Sequence, residues 1–282
     1  VGRVVILLDN NQLVIANLFQ SLKYDPNINE DMVRTLMLNT YRMYRSKFRD
    51  KYGEIVICHD GGRYWRKDIF PQYKANRKKT MKESDVDWDR IHEVMNMIHQ
   101  EVVANFPYKN IKITSIEADD IIAVLCERYH MDENIVIVSN DKDFQQLQRY
   151  ENVSQYSPTK KQFLKCEDPE EFLTYHILKG DSSDGIPNIL SDDDVFVEPD
   201  KRQKPCGDKR ISEMKQNLSE WTSTDNWTRN QVLIDFNMIP DIIKESILNE
   251  YDKEPVVGDR SNILNYFIDK KLKNLMVNIE EF

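Results

Sequence analysis

Carboxylates recur in this chain in groups whose spacing suits metal chemistry. Glu117-Ala118-Asp119-Asp120 opens a helical pattern, Asp141-Lys142-Asp143 follows an apolar run, and Gly180-Asp181-Ser182-Ser183-Asp184-Gly185 forms a polar turn. Asp9 and Asp60 each close a further apolar run. Taken singly, each group has an ordinary explanation. Acids in a first helical turn complement the helix dipole, an Asp after a strand caps the next helix, and GDSSDG suits a turn. Together they imply several like charges within a few ångströms, which cannot all stay ionised without a counter-charge. The ligand set is all oxygen. Five histidines are present, but none falls at ligand spacing. Oxygen ligands select hard cations, so two Mg²⁺ ions are expected, with Mn²⁺ able to substitute. Two such ions about 4 Å apart activate a water and stabilise the leaving oxygen of a phosphodiester.

The elements that must position these acids are legible in outline. Val4–Leu8, Ile55–Cys58 and Ile135–Val138 are short, β-branched apolar runs, read as buried strands; Ile111 and Ile113 suggest another. Between them, Met32–Phe48 repeats apolar residues at helical spacing. Asp85 or Asp87 could cap a helix containing Trp88, Ile91, Val94, Met95 and Ile98, and Glu117–Arg128 reads as a helix. Alternating strands and helices imply a parallel sheet covered on both faces. Ligands bind beyond the carboxyl ends of such strands. That rule brings Asp9, Asp60 and Asp141 to one edge. From about residue 181 the apolar spacing becomes helical (Ile239, Ile242, Ile243, Ile247; then Ile263, Phe267, Leu272, Leu275). The reading is an α/β domain over 1–180 and a smaller helical domain over 181–282, with Ser191–Gly207 as a surface loop.

A net charge of −9 argues at first against a polyanionic partner. Its distribution reverses that. Residues 63–82 hold Arg63, Arg66, Lys67, Lys74, Arg77, Lys78, Lys79 and Lys82 against the single acid Asp68, so this stretch is +7 and the rest of the chain −16. Such segregation is the footprint of phosphate binding, although a solvated Lys/Arg-rich helix would look the same. A helix starting near Gln72 would place Lys74, Arg77 and Lys78 on one face.

At 282 residues, 40% hydrophobic and 31% charged, the chain can bury a core. It has no apolar run of about 18 residues and no signal-peptide pattern, so a membrane is not expected and a cytoplasmic location is. Cys58, Cys126, Cys166 and Cys206 form no CxxC pair and are read as free thiols. The eight glycines form neither a Walker loop nor a GxGxxG turn.

The order of these motifs resembles the 5′-nuclease superfamily, which includes flap endonucleases. The resemblance rests on ILLD (Ile6–Asp9), HDGGRYWRKD (His59–Asp68), YKANR (Tyr73–Arg77), EADDIIAVL (Glu117–Leu125), SNDKDFQQL (Ser139–Leu147) and LKGDSSD (Leu178–Asp184). YSPTKKQF (Tyr156–Phe163), VLIDFNMIP (Val232–Pro240) and the terminal EEF extend it over nearly the whole chain. It implies a PIN-like α/β fold, an arch over about 63–86, and structure-specific 5′-to-3′ exonuclease and flap cleavage of RNA primers and DNA flaps. By the same resemblance Asp9, Asp60, Glu117, Asp119, Asp141 and Asp143 hold or water-bridge the metals, and Asp181 and Asp184 complete the second site. Asp120 is then an outer partner. Lys74 would contact the scissile phosphate, with Asp119 and Asp141 as the central catalytic acids. Tyr73 would stack on a base, and Arg77, Lys78 and Lys79 would follow the backbone. Many members carry a glycine-rich hairpin after the GDxxDN turn that grips duplex and can hold potassium. Those glycines are absent here, which leaves a potassium site open and shifts duplex contact to Lys201, Arg202, Lys204, Lys209 and Arg210. A monomer acting on DNA or RNA/DNA with 5′ ends is expected, with a replisome single-strand-binding or clamp protein as partner. The competing readings are a PIN-like single-strand ribonuclease and a non-catalytic nucleic-acid clamp.

Overall fold

The computed structural model describes residues 5–22, 29–82, 84, 86–253 and 260–282. Its centre is a six-stranded sheet of β1 (Val5–Asp9), β2 (Glu54–His59), β3 (Lys109–Lys112), β4 (Ile135–Val138), β5 (Val153–Ser157) and β6 (Gln162–Leu164). The spatial order is β3-β2-β1-β4-β5-β6, parallel except for β6. β1 therefore lies between β2 and β4, with Leu8 opposite both Ile57 and Val138. This is where the strand order reverses, the place at which open α/β sheets leave a ligand crevice.

Side chains alternate across the sheet with a period of two. Ile6, Leu8, Ile55, Ile57, Val136 and Val138 enter one core, and Val5, Leu7, Val56, Cys58, Ile135 and Ile137 the other. Both faces are buried, which is why these strands read as unbroken apolar runs. The first face is covered by α1 (Asn10–Leu22), α2 (Glu30–Tyr52) and α5 (Trp88–Asn105). Asn29 caps α2 by accepting from the Asp31 N–H, and Asp87 caps α5 by accepting from Arg90. The opposite face is covered by α6 (Ala118–Tyr129). Between β2 and α5 lie two short helices, α3 (Arg66–Ile69) and α4 (Ala75–Lys82). After β6 come α7 (Pro169–Lys179), α8 (Asp208–Gln216), α9 (Leu218–Thr222) and α10 (Asp225–Ile234). They build a third core with Phe70 and Tyr73.

The remaining helices are α11 (Asp241–Asp252), α12 (Arg260–Asp269) and α13 (Lys273–Met276). Ile247 and Tyr251 of α11 join the α6 face, whereas Phe267 and the terminal Phe282 pack against Phe106 beyond α5. The C-terminal helices thus return to both faces of the sheet. No helix among the described residues is long and apolar enough to cross a membrane. All four cysteines are free. Ser191–Gly207 has no helix or strand, yet Val195 and Cys206 anchor it in the interior.

Three differences from the sequence reading matter below. The helix begins at Ala75, not near Gln72, and Lys74 precedes it with φ 55. Helix α1, the β5–β6 pair and α7 were not foreseen. Strand β3 ends at Lys112, before Ile113.

Gly61 fixes where the β2 loop passes the segment that leads into α6. Its N–H donates to the Ile116 carbonyl at 2.8 Å, and an added Cβ would lie 1.8 Å from the Ile113 carbonyl oxygen. Backbone must move to admit it. Gly61→Ala is expected to lose about 1–3 kcal/mol of stability or more by denaturant unfolding. Gly207→Ala, which meets nothing within 4 Å, serves as the clash-free control and should lose only the N-cap preference for Gly at α8.

Candidate active site

Three neighbouring strands end at the same edge, and their acids end there too. Asp9 closes β1, Asp60 follows β2, and Asp141 follows β4. Asp119 joins them from the first turn of α6. Local bonds aim these groups. Asp9 accepts from Ser139 Oγ at 2.8 Å. Asp60 accepts from Asn11 Nδ2 at 2.8 Å and from the Ala118 N–H at 2.9 Å. Asp141 accepts from the Asp143 N–H at 2.9 Å, capping a 3-10 turn. Among the described residues none of these four acids has a basic partner within ion-pair distance.

The cost shows in their protonation. Burial, then the charges of Asp60 and Asp141, push Asp9 up to about 7. Burial, then the charges of Asp141 and Asp9, hold Asp119 well above the carboxylate range, and burial with the charges of Asp184 and Asp181 raises Asp141. A site that resists ionising all its acids, and whose ligands are all oxygen, fits a divalent cation as the missing counter-charge.

The other acids of the motifs already have cations. Glu117, 1% exposed, takes Arg66 Nη1 at 2.8 Å and Lys74 Nζ at 2.5 Å, and Tyr73 Oη donates to it at 3.1 Å. Burial works against its charge, but Lys74 and Arg66 outweigh that and hold Glu117 low. Asp184 takes Arg77, and Lys74 at 3.5 Å. Asp181 is flanked by Lys142 at 2.9 Å and His176 Nε2 at 3.2 Å. Asp143 lacks such relief: burial, then Asp141, push it up to about 7.

Other site residues take places that their spacing did not suggest. Asp120 does not face the other acids: one oxygen meets Arg66 Nη2 at 2.8 Å, and the other accepts from Trp65 Nε1 and the Glu117 N–H. It ties α6 to the β2 loop. Tyr73 is 3% exposed with its hydroxyl held by Glu117 and Asp184, so it offers no face to a base. Tyr64, packed edge-on against it, lines the cleft instead. Lys74 is buried at 7% exposure and spends its charge on Glu117 and Asp184. The side chains of Lys78 and Lys79 lie outside the described residues.

A cleft of about 1070 Å³ opens over the edge. Asp9, Asp60, Asp119 and Asp141 form its floor, and Lys67, Lys74 and Arg77 line one wall. Trp88, His92, His99 and Lys112 also line it. Lys201, Arg202, Lys204, Lys209 and Arg210 do not line it. All five are exposed; Lys201 pairs with Asp194, Arg210 with Glu213, and Arg202 bonds backbone carbonyls.

Residue reading missed Arg66, Asn11, Ser139 and Lys142. It also missed His176, dismissed for spacing, which lies between Asp143 and Asp181 with ligand atoms within 4.8 Å of one another. The available signal was its place on the last turn of a helix running into the GDSSDG motif.

Comparison with known proteins shows the family. Residues 4–174 match the family described as 5′-3′ exonuclease, N-terminal resolvase-like domain, and residues 168–282 match that described as T4 RNase H, C terminal. The chain is 33% identical to the ribonuclease H of Enterobacteria phage T4, covering 99% of this chain and 95% of that one. It is 31% identical to the flap endonuclease Xni of Shewanella sp. (strain MR-4) over 48% of this chain and 52% of the other. Among solved structures, a bacteriophage T5 flap endonuclease crystallised with DNA and metal ions superposes with a TM-score of 0.60 at 18% identity, covering 88% of this chain and 99% of that one. At that identity the shared property is the fold.

The raised acids make a prediction about pH. A carboxyl whose folded pKa lies above its unfolded value stabilises the fold while protonated. That stability is full below about pH 4 and is lost as pH rises through about 7. In chelator, Tm is therefore expected to fall between pH 5.5 and 8. Asp9→Asn should raise Tm at pH 8 by a few degrees, and added divalent cation should flatten the pH dependence of the native chain. A metal-free Tm independent of pH over this range would show that the crowding is relieved in some other way.

Proposed function

The chain belongs to the family of 5′-3′ exonucleases with a resolvase-like N-terminal domain, and from that premise we propose a structure-specific 5′ nuclease that hydrolyses phosphodiesters at 5′ ends and flaps of DNA and RNA/DNA. One observation carries the reading: an acid floor at the carboxyl edge of three adjacent parallel strands, faced by a basic wall across one cleft. Divalent cations, when bound, supply the neutralising charge and water activation that phosphodiester hydrolysis requires. Magnesium is the ion proposed, with manganese as substitute, because the floor offers only oxygen.

The chain's own residues divide the work. Asp9, Asp60, Asp119 and Asp141 hold the cations at the edge. Lys74 and Arg77 stand where they can exchange a carboxylate partner for a phosphate oxygen, a charge-assisted contact of the stronger kind. Lys67 extends this wall toward the entering strand, and Tyr64 offers the aromatic surface. Asn11, Ser139 and the Ala118 N–H keep Asp60 and Asp9 aimed into the cleft. The region from Asp181 onward is proposed as the duplex-contacting half, with the exposed Lys204 and Lys209 as its most available charges. The absence of a glycine-rich hairpin makes that contact electrostatic and salt-sensitive.

Two substitutions test the reading. Asp119→Asn is expected to reduce single-turnover cleavage of a 5′-flap substrate at least 100-fold while leaving DNA affinity unchanged or tighter, because it removes only negative charge. Lys74→Ala is expected to lower the saturated rate by about 100- to 1000-fold. Because Lys74 also neutralises buried Glu117, its Tm is to be measured alongside. A Lys74→Ala chain with a native saturated rate would make Lys74 a structural counter-ion and nothing more. Parallel assays on nicked duplex, RNA/DNA hybrid and single strand separate this function from a single-strand ribonuclease. Binding without magnesium-dependent cleavage of any of the four would leave a non-catalytic clamp.

A further inference from the structure

His176 lies between Asp143 and Asp181, and the reading above does not use it. It is 3% exposed, on the last turn of α7, directly before the Gly180 turn that delivers Asp181. Its ring is held between two acids, Nε2 at 3.2 Å from Asp181 Oδ2 and Nδ1 at 3.5 Å from Asp143 Oδ1.

The two sides are chemically different. Asp181 is kept ionised by Lys142 at 2.9 Å and by the Ser183 N–H and hydroxyl on its other oxygen. An ionised carboxylate only accepts hydrogen bonds, so Nε2 carries the proton and donates it. Nδ1 then presents a lone pair toward Asp143 Oδ1. Neither atom has a hydrogen-bond partner among the described residues, and both are buried. Two acceptors turned toward each other in a dry site are unfavourable unless something positive lies between them. A proton, on Nδ1 or on the Asp143 carboxyl, is one candidate, but the contact does not reach hydrogen-bond geometry. A metal ion is the other. A ligating imidazole characteristically donates its second N–H to a carboxylate, which fixes tautomer and ring orientation. Asp181 already does this.

We propose that His176 Nδ1 and Asp143 Oδ1 are ligands of a divalent ion, with Asp181 orienting the imidazole, and that this position prefers Mn²⁺ to Mg²⁺. The inference rests on the reading of these acids as a metal centre and adds a nitrogen ligand to it. The preference follows from ligand type. Imidazole binds first-row transition ions better than magnesium, which demands oxygen and gives up its waters reluctantly. The two halves of the centre then differ: the floor of Asp9, Asp60, Asp119 and Asp141 is all oxygen, and the flank is mixed nitrogen and oxygen. Lys142 keeps Asp181 charge-balanced, so the ion is left to Asp143 and the ring.

The test is metal binding read without turnover, on the full chain. Pulsed EPR of the Mn²⁺-loaded protein is expected to show nitrogen coupling from one coordinated imidazole. His176→Gln should abolish that coupling and weaken one Mn²⁺ by at least about 10- to 100-fold, the loss seen even when an outer partner of a ligand is removed. Mg²⁺ binding should change much less. Asp143→Asn, which leaves His176 in place, should weaken the same nitrogen-coupled ion, so the proposal stays testable if His176→Gln folds poorly. Mn²⁺ bound without nitrogen coupling, or with coupling unchanged in His176→Gln, overturns the inference and leaves the all-oxygen centre standing. A native chain that binds no Mn²⁺ overturns both.

Discussion

Like-charge crowding at one edge of the sheet governs the rest of this structure. Placing β1 between β2 and β4 makes Asp9, Asp60 and Asp141 neighbours whatever else the chain does. Beginning α6 at the same edge adds Glu117, Asp119 and Asp120. The fold answers with bases, but selectively. Arg66 takes Glu117 and Asp120, Lys74 bridges Glu117 and Asp184, Arg77 takes Asp184, and Lys142 takes Asp181. Apart from Asp143, which meets only the His176 ring, the motif acids left without a base are the ones that floor the cleft. A protein selecting only for stability would be better served by removing charges than by leaving four uncompensated, since buried ions rarely recover their desolvation. The pattern of pairing therefore marks the site more sharply than the acids themselves do.

The same bases tie the basic arm to the second acidic turn. The Lys74 N–H donates to the Asp184 carbonyl at 2.7 Å, Asn76 Nδ2 to Ser182 at 2.7 Å, and Arg77 Nε to Ser183 at 3.2 Å. Gly185 has positive φ, and a Cβ there would press on the Gln72 carbonyl at 3.1 Å, so this close approach favours a glycine. The arm and the turn thus form one unit whose charges cancel. Under the proposed function, a phosphate that took Lys74 and Arg77 would release Glu117 and Asp184 beside the metal-binding edge, so these ion pairs would link substrate arrival to the charge of the site.

How much of this was legible depends on the range of the interaction. The buried strands announced themselves because a parallel sheet covered on both faces demands unbroken apolar runs, and Ile135–Val138 was read to the residue. Strand-end acids could be gathered to one edge by the rule for α/β sheets alone, before any resemblance was invoked. Helix α1 was missed because Asn10–Leu22 follows Asp9 directly: one residue both closes the strand and accepts from the Gln12 N–H at 3.4 Å, with no turn residue to separate the two elements. Lys74 was put on a helix because its spacing to Arg77 is helical; the backbone at Lys74 is instead left-handed, which a sequence pattern does not reveal.

The failures at the site have one cause. Tyr73, Asp120 and His176 each take their role from a partner far along the chain: Tyr73 from Glu117 and Asp184, Asp120 from Trp65 and Arg66, His176 from Asp143. Spacing arguments see only neighbours at three, four or two residues. An EADD motif therefore suggests a run of equivalent ligands, although helix geometry makes consecutive residues diverge. Asp119 points into the cleft, and Asp120, about 100° further around α6, must face the interior. That rotation was available from the sequence once α6 was placed, because Ile121, Ile122, Val124 and Leu125 already define its buried side. Treating an acidic run on a helix as a set of directions, with each acid assigned to solvent, core or cleft, would have separated the structural carboxylate from the one left facing the substrate.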